Sequence, residues 1–399
     1  MSDPSARLTL GFSCVGHTFS HLMAPTFFVV ALALEGEFGL THGEVVSLIV
    51  LGNIMYGVAA PAAGWLGDKW SAAGMMGVYY FGLGVGMILT GASQTPAQLV
   101  GFLTLTGIFG SIYHPVGFAW LVSQVEKRGQ ALGVNGVFGS IGPSIAALTA
   151  GVLTDAVSWR AAFIVPGVLI VLTGVAFVFM LRRGAVHDRP TVTDAPHGAS
   201  RHEIVRAVIV LATTMLCTGL IYQSTGPALP KMFSERLADW LAFDGVLGAG
   251  VLVAVVYVVA GGFQVLAGRM CDRWPLRRVY LLAFIAQVPF LILAAGAGGG
   301  ALMFAALVMV SANQAALPVE NTLVARYAPK DWRALAYGLK FILAFGFSGL
   351  GVWMEGYIYD ATGGMHALFM VLAALAFTGF VISWMLPGDR PVSLERAGT

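Results

Sequence analysis

Apolar stretches long enough to form membrane helices alternate with short polar or Gly/Pro breaks along nearly the whole chain. They fall near 9–34, 42–67, 72–92, 96–123, 129–156, 160–182, 204–232, 243–271, 277–296, 300–326, 333–359 and 365–386. A helix of about 20 mostly apolar residues crosses a hydrocarbon core of ~30 Å, so the pattern predicts an all-α membrane protein with twelve transmembrane helices. The longest polar interruption, Arg183 to His202, is rich in Pro, Asp, His and Arg and reads as a solvated linker. It divides the chain into a six-helix bundle over 1–182, a cytoplasmic linker over 183–203 and a second six-helix bundle over 204–399.

Composition excludes most other classes. Of the 399 residues 57% are hydrophobic and 11% charged, against roughly 25% charged in soluble domains. The net charge of +2 gives no reason to expect a nucleic-acid partner. The bases are sorted by side: 18 of the 22 Lys and Arg fall in the two tails and in alternate loops. Cytoplasmic loops carry such an excess, which places both termini and the linker in the cytoplasm and the chain in a bacterial inner membrane, multi-pass. The polar start, Met1 to Leu8, precedes an apolar run without a small-residue cleavage site, so a retained first helix is expected. Cys14, Cys217 and Cys271 lack metal-ligand spacing and read as small buried hydrophobes.

The two halves repeat one another. Gly64-Trp65-Leu66-Gly67-Asp68-Lys69-Trp70 at the end of helix 2 returns as Gly268-Arg269-Met270-Cys271-Asp272-Arg273-Trp274 at the end of helix 8, a step of 204. Pro25 and Pro230, Arg128 and Arg333, Gly133 and Gly338, and Asp155 and Asp360 each stand 205 apart. Repeats of this kind place a transporter's site between the halves near mid-membrane.

These residues resemble the major facilitator superfamily. Its cytoplasmic loop signature matches Gly64, Leu66, Asp68 and Lys69, and again Gly268, Asp272, Arg273, Arg277 and Arg278; the first copy has Ala72 and Ala73 where terminal bases are expected. The resemblance covers essentially the whole chain and implies two pseudo-symmetric six-helix bundles that rock about a central cavity lined by helices 1, 4, 7 and 10. Within the family, Tyr113-His114-Pro115 with Gly117 looks like the fosmidomycin-resistance-type exporters.

In a rocking transporter the cytoplasmic ends of the halves must close and part. The carboxylate of Asp68 is expected to accept hydrogen bonds from free amides at the start of helix 11, near Asp331 to Ala334, aided by that helix's dipole. Asp272 is expected to do the same at the start of helix 5. Gly64 and Gly268 would allow close helix approach, Glu126 is the expected partner of Lys69, and Arg273 and Arg333 complete the gating set.

Ionisable residues inside a membrane helix are costly and usually functional. His17 and His21, four apart in helix 1, share a face. His114 precedes Pro115, which removes a backbone donor. Glu320 in helix 10 and Lys340 in helix 11 are expected to pair, because either charge alone would be expensive to bury. Glu355, one turn before Asp360, lies close enough to the outer surface to be a gate or a solvated charge, and the solvated charge is expected. Tyr222 and Gln223 in helix 7 and Asn313 in helix 10 add uncharged hydrogen-bonding groups that face substrate or bind neighbouring helices. Helix 5 carries Gly133, Gly136, Gly139, Gly142 and Pro143, which read equally as an antiporter-like motif and as a packing face.

Enzyme motifs fail. His202-Glu203-Ile204-Val205-Arg206 starts like a zinc-protease helix but has Arg where the second His is needed, and no phosphate-cradling loop is present. The expected function is therefore secondary transport: export of a small organic molecule in exchange for protons, without a cofactor or metal, by a monomer in the lipid bilayer. Import of a small anionic solute by symport or facilitation, with the histidines and Lys340 as counter-charges, and a non-transporting scaffold or sensor are the alternatives.

Overall fold

The computed structural model describes residues 4–125, 127–188, 201–238, 245–327 and 338–387. Glu126, Arg333 and the stretch from Asp331 to Ala334 lie outside them. The described residues contain twelve helices long and apolar enough to cross a membrane: α1 Pro4–Phe38, α2 His42–Lys69, α3 Ala72–Gly91, α4 Pro96–Gln124, α5 Arg128–Ala156, α6 Ala161–Arg182, α7 His202–Arg236, α8 Gly245–Cys271, α9 Leu276–Gly296, α10 Gly299–Val324, α11 Gly338–Thr362 and α12 His366–Ser383. No strand occurs among the described residues.

Packing within each half follows one plan. α1 packs on α5, α2 on α4 and α3 on α6; in the second half α7 packs on α11, α8 on α10 and α9 on α12. The halves meet along α2 with α11 and α5 with α8, joined by contacts between α1 and α7. One end of the bundle carries Asp68 and Asp272 and is called the motif end; the far end carries Asp155 and Asp360.

Several helices are interrupted, α1 and α4 where proline removes a backbone donor and α11 without a proline. α1 turns at His21 and Leu22, because Pro25 supplies no N–H and its ring crowds the carbonyl four residues back, that of His21. α4 opens into a π turn at Tyr113–Gly117 around Pro115. α11 carries a π turn at Ile342–Gly346 and a 3-10 turn at Phe347–Gly349. Such irregular turns are frequent at functional sites, and all three face the space between the halves.

The first residues after α6 are not free in solvent as expected. The Asp188 carboxylate accepts from Ser71 Oγ (2.6 Å) and Ala73 N (2.8 Å) at the start of α3. The His187 carbonyl accepts from Gln124 Nε2 at 2.9 Å and Trp120 Nε1 at 3.3 Å. Val186 is fully buried. This opening of the linker is thus part of the first half's motif end.

Candidate functional site: a histidine cluster and two helix-end gates

His17, His21 and His114 come together between α1 and α4. Each offers a ring nitrogen, and the three nitrogens lie within 4.8 Å of one another. His17 and His114 are buried, His21 partly so. The turn forced by Pro25 brings His21 beside His17, with ring centroids 5.2 Å apart. The α5 glycines make the room: a Cβ on Gly139 would run into the His17 ring, and one on Gly142 would stand 2.9 Å from His21 Cβ. A packing face between the halves is the expectation; Gly139 and Gly142 instead pack against the histidine pair of their own half, and a Cβ on Gly133 or Gly136 would meet nothing within 4 Å.

A second layer holds the rings. His17 Nδ1 donates to the Asn135 carbonyl at 2.8 Å. Asn135 Nδ2 donates to Ser13 Oγ (3.0 Å) and Tyr113 OH (2.9 Å), and Tyr113 OH donates to the Ser13 carbonyl at 2.6 Å. Tyr113 also stacks on His17 with centroids 5.1 Å apart. Tyr56 OH donates to the Ser20 carbonyl at 3.3 Å. Its oxygen also lies within hydrogen-bond distance of His114 Nδ1, 3.1 Å away. With Nδ1 of His17 spent as a donor, the lone pair of that ring resides on Nε2. Phe341 and Phe345 of α11 cover the cluster, their rings 5.2 and 6.1 Å from His114, so the site lies on the seam between halves.

In the second half Glu320 and Lys340 pair as expected, with Nζ 3.5 Å from Oε2 and both side chains buried. Tyr280 OH donates to Glu320 Oε1 at 3.1 Å, and Lys340 Nζ also donates to Asn321 Oδ1 at 2.5 Å. Every charge in the pair has further partners, which is what makes such burial tolerable. Asn313 Nδ2 donates to the Thr218 carbonyl (3.3 Å) and Gln287 Oε1 (3.2 Å), tying α10 to α7 and α9. Tyr222 and Asn313 border one small recess with Ile221, Thr225, Met309 and Val310. Gln223 is buried toward α11, where its Cβ adjoins Gly351.

The far end is tied across the halves by Glu355 together with His42, Glu35 and Lys231, of which the sequence singled out only Glu355. His42 of α2 is buried, with Nδ1 3.0 Å from Glu35 Oε1 of α1 and Nε2 2.8 Å from Glu355 Oε1 of α11. An imidazole that donates from both nitrogens carries a positive charge. Lys231 of α7 reaches Glu35 Oε2 at 2.8 Å. Glu355 is fully buried, which corrects the expectation of a solvated charge: its neighbours are α2 and His42, not water. The signal was present, since Lys231 is one of the few bases on the base-poor side of the chain.

The repeated acids Asp155 and Asp360 do at this end what Asp68 and Asp272 were expected to do at the other. Asp360 at the end of α11 accepts from Gly43 N (3.1 Å) and Thr41 Oγ1 (2.6 Å) at the start of α2. Asp155 at the end of α5 accepts from Val246 N (3.1 Å) and Leu247 N (2.7 Å) at the start of α8. Each receiving turn has a glycine where a Cβ would strike the carboxylate, Gly43 and Gly245, and Gly245 has φ +74.

The model of the family described as Major Facilitator Superfamily matches residues 14–262 and 211–399. The chain belongs to the Major Facilitator Superfamily. Among curated members of this family it is 25% identical over 394 residues to the multidrug resistance protein MdtG of Escherichia coli, in strains O1:K1 and K12 alike, covering 94% of this chain and 92% of that one. Its fold is similar to that of a bacterial homologue of the human lysosomal transporter Spinster in an inward-facing and unoccupied conformation, with TM-score 0.70 and 14% identity over 97% of this chain and 95% of the other.

The superfamily signature residues at the motif end are disengaged. Asp68, Lys69, Asp272 and Arg273 are all exposed, and among the described residues neither carboxylate has a hydrogen-bond or ion-pair partner. Gly64 approaches Pro115 of its own half, where a Cβ would lie 3.2 Å from Pro115 Cβ, whereas a Cβ on Gly268 would meet nothing within 4 Å. The expected close approach at Gly268 is therefore absent, and the one at Gly64 is made within a half and not between halves. The proposed receiver of Asp68 and the Lys69 partner Glu126 lie outside the described residues.

Proposed function

We propose that this transporter exports a small organic molecule in exchange for protons, as a monomer in a bacterial inner membrane, with the motif end, both termini and the linker in the cytoplasm. The observation that carries this reading is the asymmetry of the ends: the far end is tied by Asp155, Asp360 and the His42 bridge, while the signature acids at the motif end have no partner among the described residues. That is the arrangement of a transporter open toward the side from which an exporter loads. The chain's similarity to a multidrug resistance protein supports the same direction, and the skew of Lys and Arg supports the orientation. No cofactor enters; the cycle draws on the proton gradient.

The proton and cargo groups would be the His17, His21 and His114 cluster on one side of the seam and the Glu320–Lys340 pair on the other, with Tyr222, Gln223 and Asn313 adding uncharged donors and acceptors. Lys340 stands one residue before Phe341, which covers His114, so a change in the pair is transmitted to the cluster through one residue of α11. Because Lys340 is already neutralised by Glu320, anion import has no spare counter-charge in this reading.

The test uses purified protein in liposomes carrying an internal pH dye, challenged with a set of lipophilic dyes and antibiotics under an imposed pH gradient. Proton movement opposite to that of at least one compound is expected, and it should be lost in Glu320→Gln and His114→Ala. Proton and compound moving together would reverse the direction; no compound-dependent proton movement would remove the coupling.

A further inference from the structure

We infer that the three imidazoles of His17, His21 and His114 form a binding site for a divalent transition-metal cation. This rests on the reading of the cluster as the central site but not on the direction or coupling of transport, since binding requires no flux.

Four observations converge. The three rings bring nitrogens within 4.8 Å of one another, a spacing that modest side-chain rotation contracts onto one ion. Neutral imidazole is the commonest metal ligand, and a three-histidine set with an open fourth position suits zinc-class ions. Second, partners already orient two of the rings. His17 Nδ1 donates to the Asn135 carbonyl, which leaves Nε2 of that ring as the electron-pair donor, and His114 Nδ1 is held by Tyr56 OH. A metal-binding histidine characteristically hands its other N–H to a carbonyl or another fixed acceptor. Third, neither nitrogen of His21 has a hydrogen-bond partner among the described residues, although the ring is mostly covered and leans on His17 and His114. Helix packing explains a histidine bonded at both nitrogens better than one bonded at neither. Fourth, Gly139 clears space for the His17 ring and Gly142 for the His21 Cβ, so two of the three histidines depend on small residues from a different helix.

The ligand set itself is neutral: among the described residues no acid adjoins the cluster, and Lys340, the base nearest in sequence to its Phe341 cover, is paired with Glu320 at 3.5 Å and so leaves no lone positive charge to repel a cation. The donor set is all nitrogen, which favours zinc, cobalt, nickel or copper over magnesium or calcium, whose preference is for oxygen.

Cobalt(II) is the probe, since its visible ligand-field bands distinguish tetrahedral nitrogen ligation from the aquo ion. Tag-free protein in detergent, titrated with Co²⁺ and back-titrated with Zn²⁺, is expected to bind one equivalent with intense tetrahedral bands that Zn²⁺ displaces. His21→Ala, which breaks no hydrogen bond, should abolish the bands while the protein keeps its elution volume and its unfolding temperature without metal. Tyr56→Phe, which frees the His114 ring and drops the bond to the Ser20 carbonyl, should weaken binding by about tenfold. A wild-type spectrum equal to that of aquo Co²⁺, or tetrahedral bands that persist in each of His17→Ala, His21→Ala and His114→Ala, would overturn the assignment. Neither result would bear on proton-coupled flux, so the transport reading stands or falls by its own experiment.

Discussion

The two ends of the molecule are built from the same four helices and are held in opposite ways. At the far end, the last turns of α5 and α11 present Asp155 and Asp360 to the first turns of α8 and α2. At the motif end, α2 and α8 end in Asp68 and Asp272, in position to serve the starts of α11 and α5 when the halves tilt. A carboxylate at a helix start accepts hydrogen bonds from amides that the helix leaves unpaired and gains from the dipole. The difference between the ends is one of engagement: of four acids, two at each end, the far-end pair caps helices of the other half, and the motif-end pair has no partner among the described residues.

The far end has one device that the motif end lacks among the described residues. His42 draws Glu35 and the fully buried Glu355 together across the seam. The largest effect on the comparison is therefore expected from His42→Ala. Removing one partner of a buried charge pair costs about 3–5 kcal/mol, here in the far-end-closed state alone. Distances between spin labels at the exposed residues Gln98 and Thr362 should shift from one short population toward a longer one. An unchanged distribution would mean that His42 only fills space.

A smaller effect is expected from Asp155→Ala and Asp360→Ala. These acids are solvent-exposed, so each cap contributes about 0.5–1 kcal/mol. The two sit on separate helix pairs, and their effects should add; the double variant should widen the far end measurably in the same label pair where either single variant barely does. Strongly non-additive behaviour would show that the two caps act as one unit through the whole seam.

The smallest effect on this state is expected from Asp68→Ala. Asp68 is exposed and unpaired here, so far-end distances and thermal unfolding of the purified protein should not change, while transport in liposomes should slow because the opposite state loses a latch. Destabilisation without loss of flux would contradict the disengaged motif end.

How much of this was legible in the sequence depends on whether an observation needed the third dimension. The twelve spans, the twofold repeat and the family follow from hydropathy and from spacings of 204 and 205. The Glu320–Lys340 pair was accessible because the cost of a lone buried charge leaves few solutions. The repeat also marked Asp155 and Asp360, but it could not say that they cap helices of the other half, since capping partners 317 and 91 residues away leave no local trace. His42 and Glu35 sit beside a loop and belong to no motif. Their one clue was Lys231, a base on the side that otherwise has few. His114 joins His17 and His21 only because α4 packs on α1, and Gly139 gives no hint in sequence that a histidine ring fills its missing side chain.

The π turn at Tyr113–Gly117 has a consequence for rotation. A π turn accommodates one residue more than the helix around it, and each residue of a regular helix advances about 100°. Everything in α4 after Gly117 is therefore set about 100° ahead of where the first half of the helix would have aimed it. Trp120 and Gln124 reach the His187 carbonyl from that setting. Closing the turn would spin this end of α4 about its own long axis and drop both bonds, while the end that begins at Pro96 stayed still. The chain thus carries a stored quarter-turn beside its histidine cluster, a torsional degree of freedom separate from the tilting of one bundle against the other.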